Sequence, residues 1–202
     1  MRYPVPAASH RTTDVIQRSR FITTVERVGT VEAAEAFVRR IRAEFPDATH
    51  NCWAYVVGPP GSTGHVGMSD DGEPHNTAGR PMLTVLLHSG VGDVAAVVTR
   101  YYGGTKLGTG GLARAYSGGV QQALRELPLG ERVELTRVRV TVDHASVSGL
   151  QRFLPDHEAS VVGQEWGAEA TFDVELPEER AEALRRAVGD LTRGRGTVAS
   201  VD

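Results

Sequence analysis

The alternation of apolar and polar positions is clearest in the second half of the chain. Val138, Val140 and Val142 recur at period two within a strand predicted over 133–142. Val147, Leu150, Phe153 and Leu154 then form a helical face that Pro155 ends, and a short strand is expected at 159–165 before a turn at Trp166-Gly167. Ala170, Phe172, Val174 and Leu176 alternate with Glu169, Thr171, Asp173 and Glu175, the pattern of a half-buried strand. Pro177 with Glu178 and Glu179 suits a helix start, Ala181, Leu184, Val188 and Leu191 continue that helix, and 197–201 closes as a strand. The order βαββαβ is the ferredoxin-like unit.

The first half is also α and β. Residues 14–28 are expected as one extended strand, and Thr30 as the cap of a helix burying Ala34, Phe37, Val38 and Ile41 up to Phe45. A buried strand follows at 49–57, a turn or mobile loop at 58–64, and a short helix at about 77–88. Residues 93–102 are apolar at both parities, so they predict a central strand covered on both faces. A glycine-rich loop then leads into a helix at about 110–127. Periodicity lapses around Leu127-Pro128-Leu129-Gly130, which predicts an α+β chain of two domains, 1–129 and 130–202.

Composition changes this picture little. Of 202 residues, 40% are apolar and 23% charged, an ordinary globular balance, and the longest apolar run, Cys52 to Val57, is far short of the roughly 20 residues that span a bilayer. The start Met1-Arg2-Tyr3-Pro4-Val5-Pro6 lacks the apolar core of a secretory signal, so a cytoplasmic protein with no membrane partner is expected. One cysteine excludes an internal disulfide and a Cys-based zinc site. The net charge of −3 is unevenly spread: 1–130 stand at +2 and 131–202 at −5. Between 74 and 125, Arg80, Arg100, Lys106, Arg114 and Arg125 face a single carboxylate, Asp93, which leaves room for a local basic surface.

Four groups of residues bear on chemistry. The run from Arg100 to Leu112 sets Gly103, Gly104, Gly108, Gly110 and Gly111 between a buried strand and a helix start. Such glycines let a ligand approach the main chain, and free helix-start N–H groups favour an anion, with Arg100 and Lys106 adding charge. The same glycines also suit a tight crossover with no ligand. Lys106 lacks the Gly before it and the Ser/Thr after it of a Walker loop, and Gly108 to Ala113 spells G-x-G-x-x-A too far from the strand for a dinucleotide fold. Asp70, Asp71 and Glu73 crowd three carboxylates into four residues, either for metal or acid–base work or as a turn that leads into a helix. His50 and Cys52 share a strand face, which admits a thiol nucleophile, although a lone cysteine also suits a core. His65, His75 and His88 lack metal-ligand spacing. No catalytic residue, metal or cofactor is expected. The C-terminal sheet, with Glu169, Thr171, Asp173 and Glu175 outward, is expected to repel phosphate rather than bind RNA.

Ser69-Asp70-Asp71-Gly72-Glu73-Pro74, Thr77-Ala78-Gly79 and, above all, Arg100-Tyr101-Tyr102-Gly103-Gly104 with Leu107-Gly108 and Gly110-Gly111-Leu112 resemble the IMPACT/YigZ family over nearly the whole chain. His75-Asn76 departs from the small residues that often follow its Glu-Pro pair. The resemblance implies an N-terminal domain like the second domain of a small-subunit ribosomal protein and domain IV of elongation factor G, and a C-terminal domain like that factor's ferredoxin-like domain V. It also implies regulation of translation: eukaryotic members act through protein partners under amino-acid stress, and nucleic-acid or ribosome binding is the usual proposal for bacterial ones. The leading expectation is a non-enzymatic, translation-linked binder that meets RNA or the ribosome through Arg80, Arg100, Lys106, Arg114 and the amides of Gly103, Gly104, Gly108, Gly110 and Gly111. The alternatives are a protein-interaction regulator acting through the acidic C-terminal domain, and a small hydrolase using Asp70, Asp71 and Glu73 with His50 or Cys52.

Overall fold

The computed structural model describes residues 1–201. The chain divides into two compact units, one of Tyr3–Arg132 and one of Met1–Arg2 with the residues from Val133 onward.

The N-terminal unit holds all but the outermost residues, Arg2 and Val133, of a two-stranded ribbon of β1 (Arg2–Pro6) and β7 (Leu129–Val133). The main sheet has the order β2-β3-β6-β4-β5, built from β2 (His10–Ile16), β3 (Ser19–Arg27), β4 (His50–Val57), β5 (His65–Ser69) and β6 (Val94–Tyr101), with every pairing antiparallel. The expected single strand over 14–28 is therefore a hairpin. Ile16 pairs with Ser19 across Gln17 (φ 45°) and Arg18 (φ 68°), a two-residue turn with both centres left-handed. Asn and Gly signal such turns, and neither is present here, so the local sequence concealed it.

Strand β6 is central, and its alternate side chains enter two cores. Ala96 and Val98 pack with Phe21, Met82 and Tyr116 beneath α2 (Gly79–Leu87) and α3 (Gly108–Glu126). Ala95 and Val97 pack on the opposite face with Phe37 and Ile41 of α1 (Val31–Glu44). Helix α1 begins where its cap predicts, the Thr30 hydroxyl accepting from the Ala33 amide at 3.1 Å. Helix α3 starts earlier than expected, so Gly108, Gly110 and Gly111 belong to the helix and the loop shrinks to Tyr102–Leu107.

The C-terminal unit is β8 (Leu135–Val142), α4 (Val147–Phe153), β9 (Ser160–Trp166), β10 (Ala170–Pro177), α5 (Ala181–Thr192) and β11 (Thr197–Ser200), with sheet order β11-β8-β10-β9, the ferredoxin-like topology. Val140, Phe172, Leu150 and Leu184 anchor its core. Met1 and Arg2 belong here because the Met1 carbonyl accepts from the Glu134 amide at 3.0 Å and Arg2 pairs with Glu158 and Glu179 at 2.6 Å each.

One expectation needs correction: the solvent face of this sheet is not acidic. Register places Arg139 opposite Asp173 and Arg137 opposite Glu175, and the pairs close at 2.8 and 3.1 Å. The alternating acids of β10 are matched by alternating arginines of β8, so the face is a ladder of ion pairs.

Candidate functional site

The acidic loop between β5 and α2 is engaged internally. Asp70 accepts from the backbone N–H groups of Gly79 and Asn76 at 2.8 Å and of Ala78 at 3.0 Å, so it closes the turn and satisfies the free start of α2. Partial burial pushes its carboxyl up, but the three amides outweigh burial and hold it below the ordinary range. Asp71 accepts from the Asn51 amide at 2.7 Å and pairs with Arg42.

Glu73 goes inward. Its Oε1 accepts from Arg100 Nη1 at 2.6 Å and from the Tyr116 hydroxyl at 2.8 Å, and its side chain is 4% exposed. Arg100 lies one residue before the end of β6, with its guanidinium over the rings of Phe21 and Tyr102, and its Nη2 donates to Ser19 at 3.2 Å. Its Nε is buried with no partner. His50 and Cys52 both face this cluster from β4. His50 Nδ1 donates to the Asp71 carbonyl at 2.8 Å, with Nε2 3.8 Å from Glu73 Oε2, and Cys52 Sγ donates to the Asp70 carbonyl at 2.9 Å. Burial pushes the Cys52 thiol well above its usual value against the pull of its Tyr116 hydrogen bond, and the nearby carboxylates add to the push. A thiol held protonated in this way is a poor nucleophile. Burial likewise pushes the Tyr116 hydroxyl up, keeping it a donor. Among the described residues, no cluster of three or more His, Cys, Asp or Glu could hold a metal ion.

The loop from Tyr102 to Leu107 is different. Gly103 lies so close to the Gln17-Arg18 turn that a Cβ would sit 2.1 Å from the Arg18 carbonyl, so this position must be glycine for packing alone. Gly104 (φ +84°) and Gly108 (φ +72°) take left-handed backbone with nothing within 4 Å of a would-be Cβ, which leaves open space beside the main chain. Leu107 offers α3 no side-chain cap, so the first amides of that helix keep their donors.

The cations foreseen around this loop are not all together. Lys106 lines a cavity of ≈ 480 Å³ with Arg100, Glu73, His50, Tyr102 and Thr109. Arg114 lines a neighbouring one with Gln17, Leu107 and Gly111. Arg80 is exposed in the first turn of α2 and lines neither cavity. Arg100 is 4% exposed and bound to Glu73, so it belongs to the interior cluster rather than to the exposed basic surface. Arg18 and Arg20 fall inside the single strand expected over 14–28, and a strand pattern does not mark them as neighbours of the loop. The hairpin turn brings Arg18 against Gly103, and Arg20 stacks over Tyr101 at 4.3 Å from its ring centre. Among the described residues, Arg18, Arg20, Lys106 and Arg114 are exposed and form no ion pair. Asp93, the single acid of the basic stretch, is fully buried and accepts from Arg132, Tyr3 and the Gly58 amide.

Two family models match the chain. The Impact N-terminal domain covers residues 17–124, and a domain of unknown function (DUF1949) covers 140–195. The chain is 43% identical over 190 residues to the IMPACT family member YigZ of Escherichia coli (strain K12), covering 94% of this chain and 93% of that protein. It is 35% identical over 185 residues to the IMPACT family member YvyE of Bacillus subtilis (strain 168), covering 91% and 84%. A crystal structure described as that of a hypothetical protein superposes with a TM-score of 0.70 at 40% identity, over 100% of this chain and 98% of the other. The two matched domains and the full-length relatives agree, and the chain belongs to the IMPACT family.

Proposed function

We propose that the protein is a translation-linked binding protein whose N-terminal unit contacts RNA phosphates, free or within the ribosome. The observation that carries this reading is the group of exposed cations without ion pairs, Arg18, Lys106 and Arg114, contributed by a hairpin turn, a glycine loop and the first turns of a helix beside exposed main chain. Unpaired cations beside free amides favour phosphate oxygens through charge, with little dependence on base sequence. The competing readings have less support. A hydrolase centred on Asp70, Asp71 and Glu73 would need carboxylates that are already held by amides and arginines, beside a thiol kept protonated. A partner drawn to the acidic C-terminal domain would meet paired charges on its sheet.

The test is co-sedimentation with ribosomes and with naked RNA at low salt, comparing the wild type with Arg18→Glu/Lys106→Glu/Arg114→Glu. Wild-type protein should pellet and the variant should stay in the supernatant with an unchanged thermal melt. Failure of the wild type to sediment with either would refute the reading.

A further inference from the structure

The ≈ 480 Å³ cavity beside the glycine loop lies within the roughly 300–1,000 Å³ range of small-molecule sites, and its lining is uneven in an informative way. Its lining includes Pro74, Tyr102, Leu107 and Leu112, with Tyr102 46% exposed, side chains suited to a flat ring. It also includes Lys106 and the first residues of α3, Gly108 and Thr109, a 19-residue helix whose N-terminus has no side-chain cap. Its opening amides and a lysine together form an anion site.

Arg100 and Glu73, which also line the cavity, supply the independent observation. Arg100 is 4% exposed, and while Nη1 and Nη2 have acceptors, its Nε has none. Glu73 Oε1 takes two hydrogen bonds, whereas among the described residues none reaches Oε2, whose neighbour is His50 Nε2 at 3.8 Å. Buried donors are nearly always paired in folded proteins, so the unmet Nε of a residue that lines the cavity marks a place for a ligand's polar group. Glu73 does not repel an anion strongly, because Arg100 and Tyr116 already hold its charge.

We propose that this cavity binds one nucleotide unit, with the base against Tyr102, the phosphate at Lys106 and the amides of Gly108 and Thr109, and a ribose hydroxyl bridging toward Glu73 and Arg100. The inference deepens the phosphate-contact reading and rests on it for Lys106 alone. The unit has two sources, a free mononucleotide or a nucleotide at the end of an RNA chain.

The test uses the full chain and amide chemical shifts in NMR titrations with adenosine 5′-monophosphate, adenosine, inorganic phosphate, and short RNA with and without a 5′-phosphate. The monophosphate should move the amides of Gly108, Thr109 and Gly110, and adenosine should bind roughly tenfold more weakly for want of the charged contacts. Tyr102→Ala, at an exposed position, should weaken the monophosphate by roughly tenfold and leave inorganic phosphate unchanged. Arg39→Ala, on α1 and outside this cavity, should leave the monophosphate unaffected. A preference for the 5′-phosphorylated RNA over the monophosphate would assign the site to chain ends, and the reverse would assign it to the free nucleotide. If millimolar monophosphate leaves these amides unmoved, or Tyr102→Ala binds it as the wild type does, the inference is wrong. RNA binding without monophosphate binding would overturn the inference and leave the surface reading standing. Monophosphate binding without RNA binding would do the opposite.

Discussion

The acidic loop from Asp70 to Glu73 and the glycine loop from Tyr102 to Leu107 border the same cavity, yet they handle charge in opposite ways. Every carboxylate of the first is held by backbone amides, arginines or a tyrosine hydroxyl, so the loop serves as a brace for α2, β4 and β6. Lys106 and the neighbouring Arg18 and Arg114 carry charge that no acid answers among the described residues. Clusters of charge in a sequence look alike whether they hold a fold together or await a partner. Partner bonds tell them apart.

The largest effect that would break this contrast is at Glu73. Removing it in Glu73→Ala leaves the Arg100 guanidinium buried without its anion, which should cost about 3–5 kcal/mol in urea unfolding. Glu73→Gln, which keeps an acceptor, should cost less. Wild-type stability in the alanine variant would show that this carboxylate is no brace.

Asp70 comes next. Asp70→Ala should lose about 1–2 kcal/mol, the usual worth of a carboxylate that satisfies a helix start. The sign with pH follows from its lowered folded value: its contribution is complete above the unfolded aspartate value of about 3.9 and fades as the pH falls through the lower folded one. Stability curves of wild type and variant should therefore converge in acid. Divergence there would contradict the amide-held carboxylate.

Cys52 sharpens the contrast chemically rather than energetically. Its thiol, buried and pushed up, should resist a thiol reagent at neutral pH in the native protein and react at once in denaturant. Rapid native labelling would revive the thiol reading. The smallest change in stability belongs to the exposed cations: Lys106→Ala and Arg114→Ala should each shift unfolding by less than about 0.5 kcal/mol.

Much of this molecule was legible before its structure. The period-two run from Ala170 to Leu176, the Thr30 cap and the two-sided apolar strand at 94–101 are local patterns, and local patterns carry strand, helix and burial directly. What escaped were pairings between distant residues. Arg100 meets Glu73 across 27 positions and Tyr116 meets Glu73 across 43, and no spacing rule relates them. Arg137 and Arg139 neutralise Glu175 and Asp173 only through sheet register. The hairpin at Gln17-Arg18 lacks the usual turn residues, and so the placement of Arg18 beside the glycine loop is hidden in the sequence.

The contrast between a satisfied acidic loop and an unsatisfied basic one is tested most directly by the salt dependence of RNA binding. Three or four phosphate contacts on a single strand give a slope of log affinity against log salt of about −2 to −3. Lys106→Ala/Arg114→Ala should flatten that slope by about 1.4 and weaken all sequences alike, while Arg42→Ala, whose partner is Asp71, should leave it unchanged. A double variant that keeps the full slope, or a slope that falls equally with Arg42→Ala, would contradict the account.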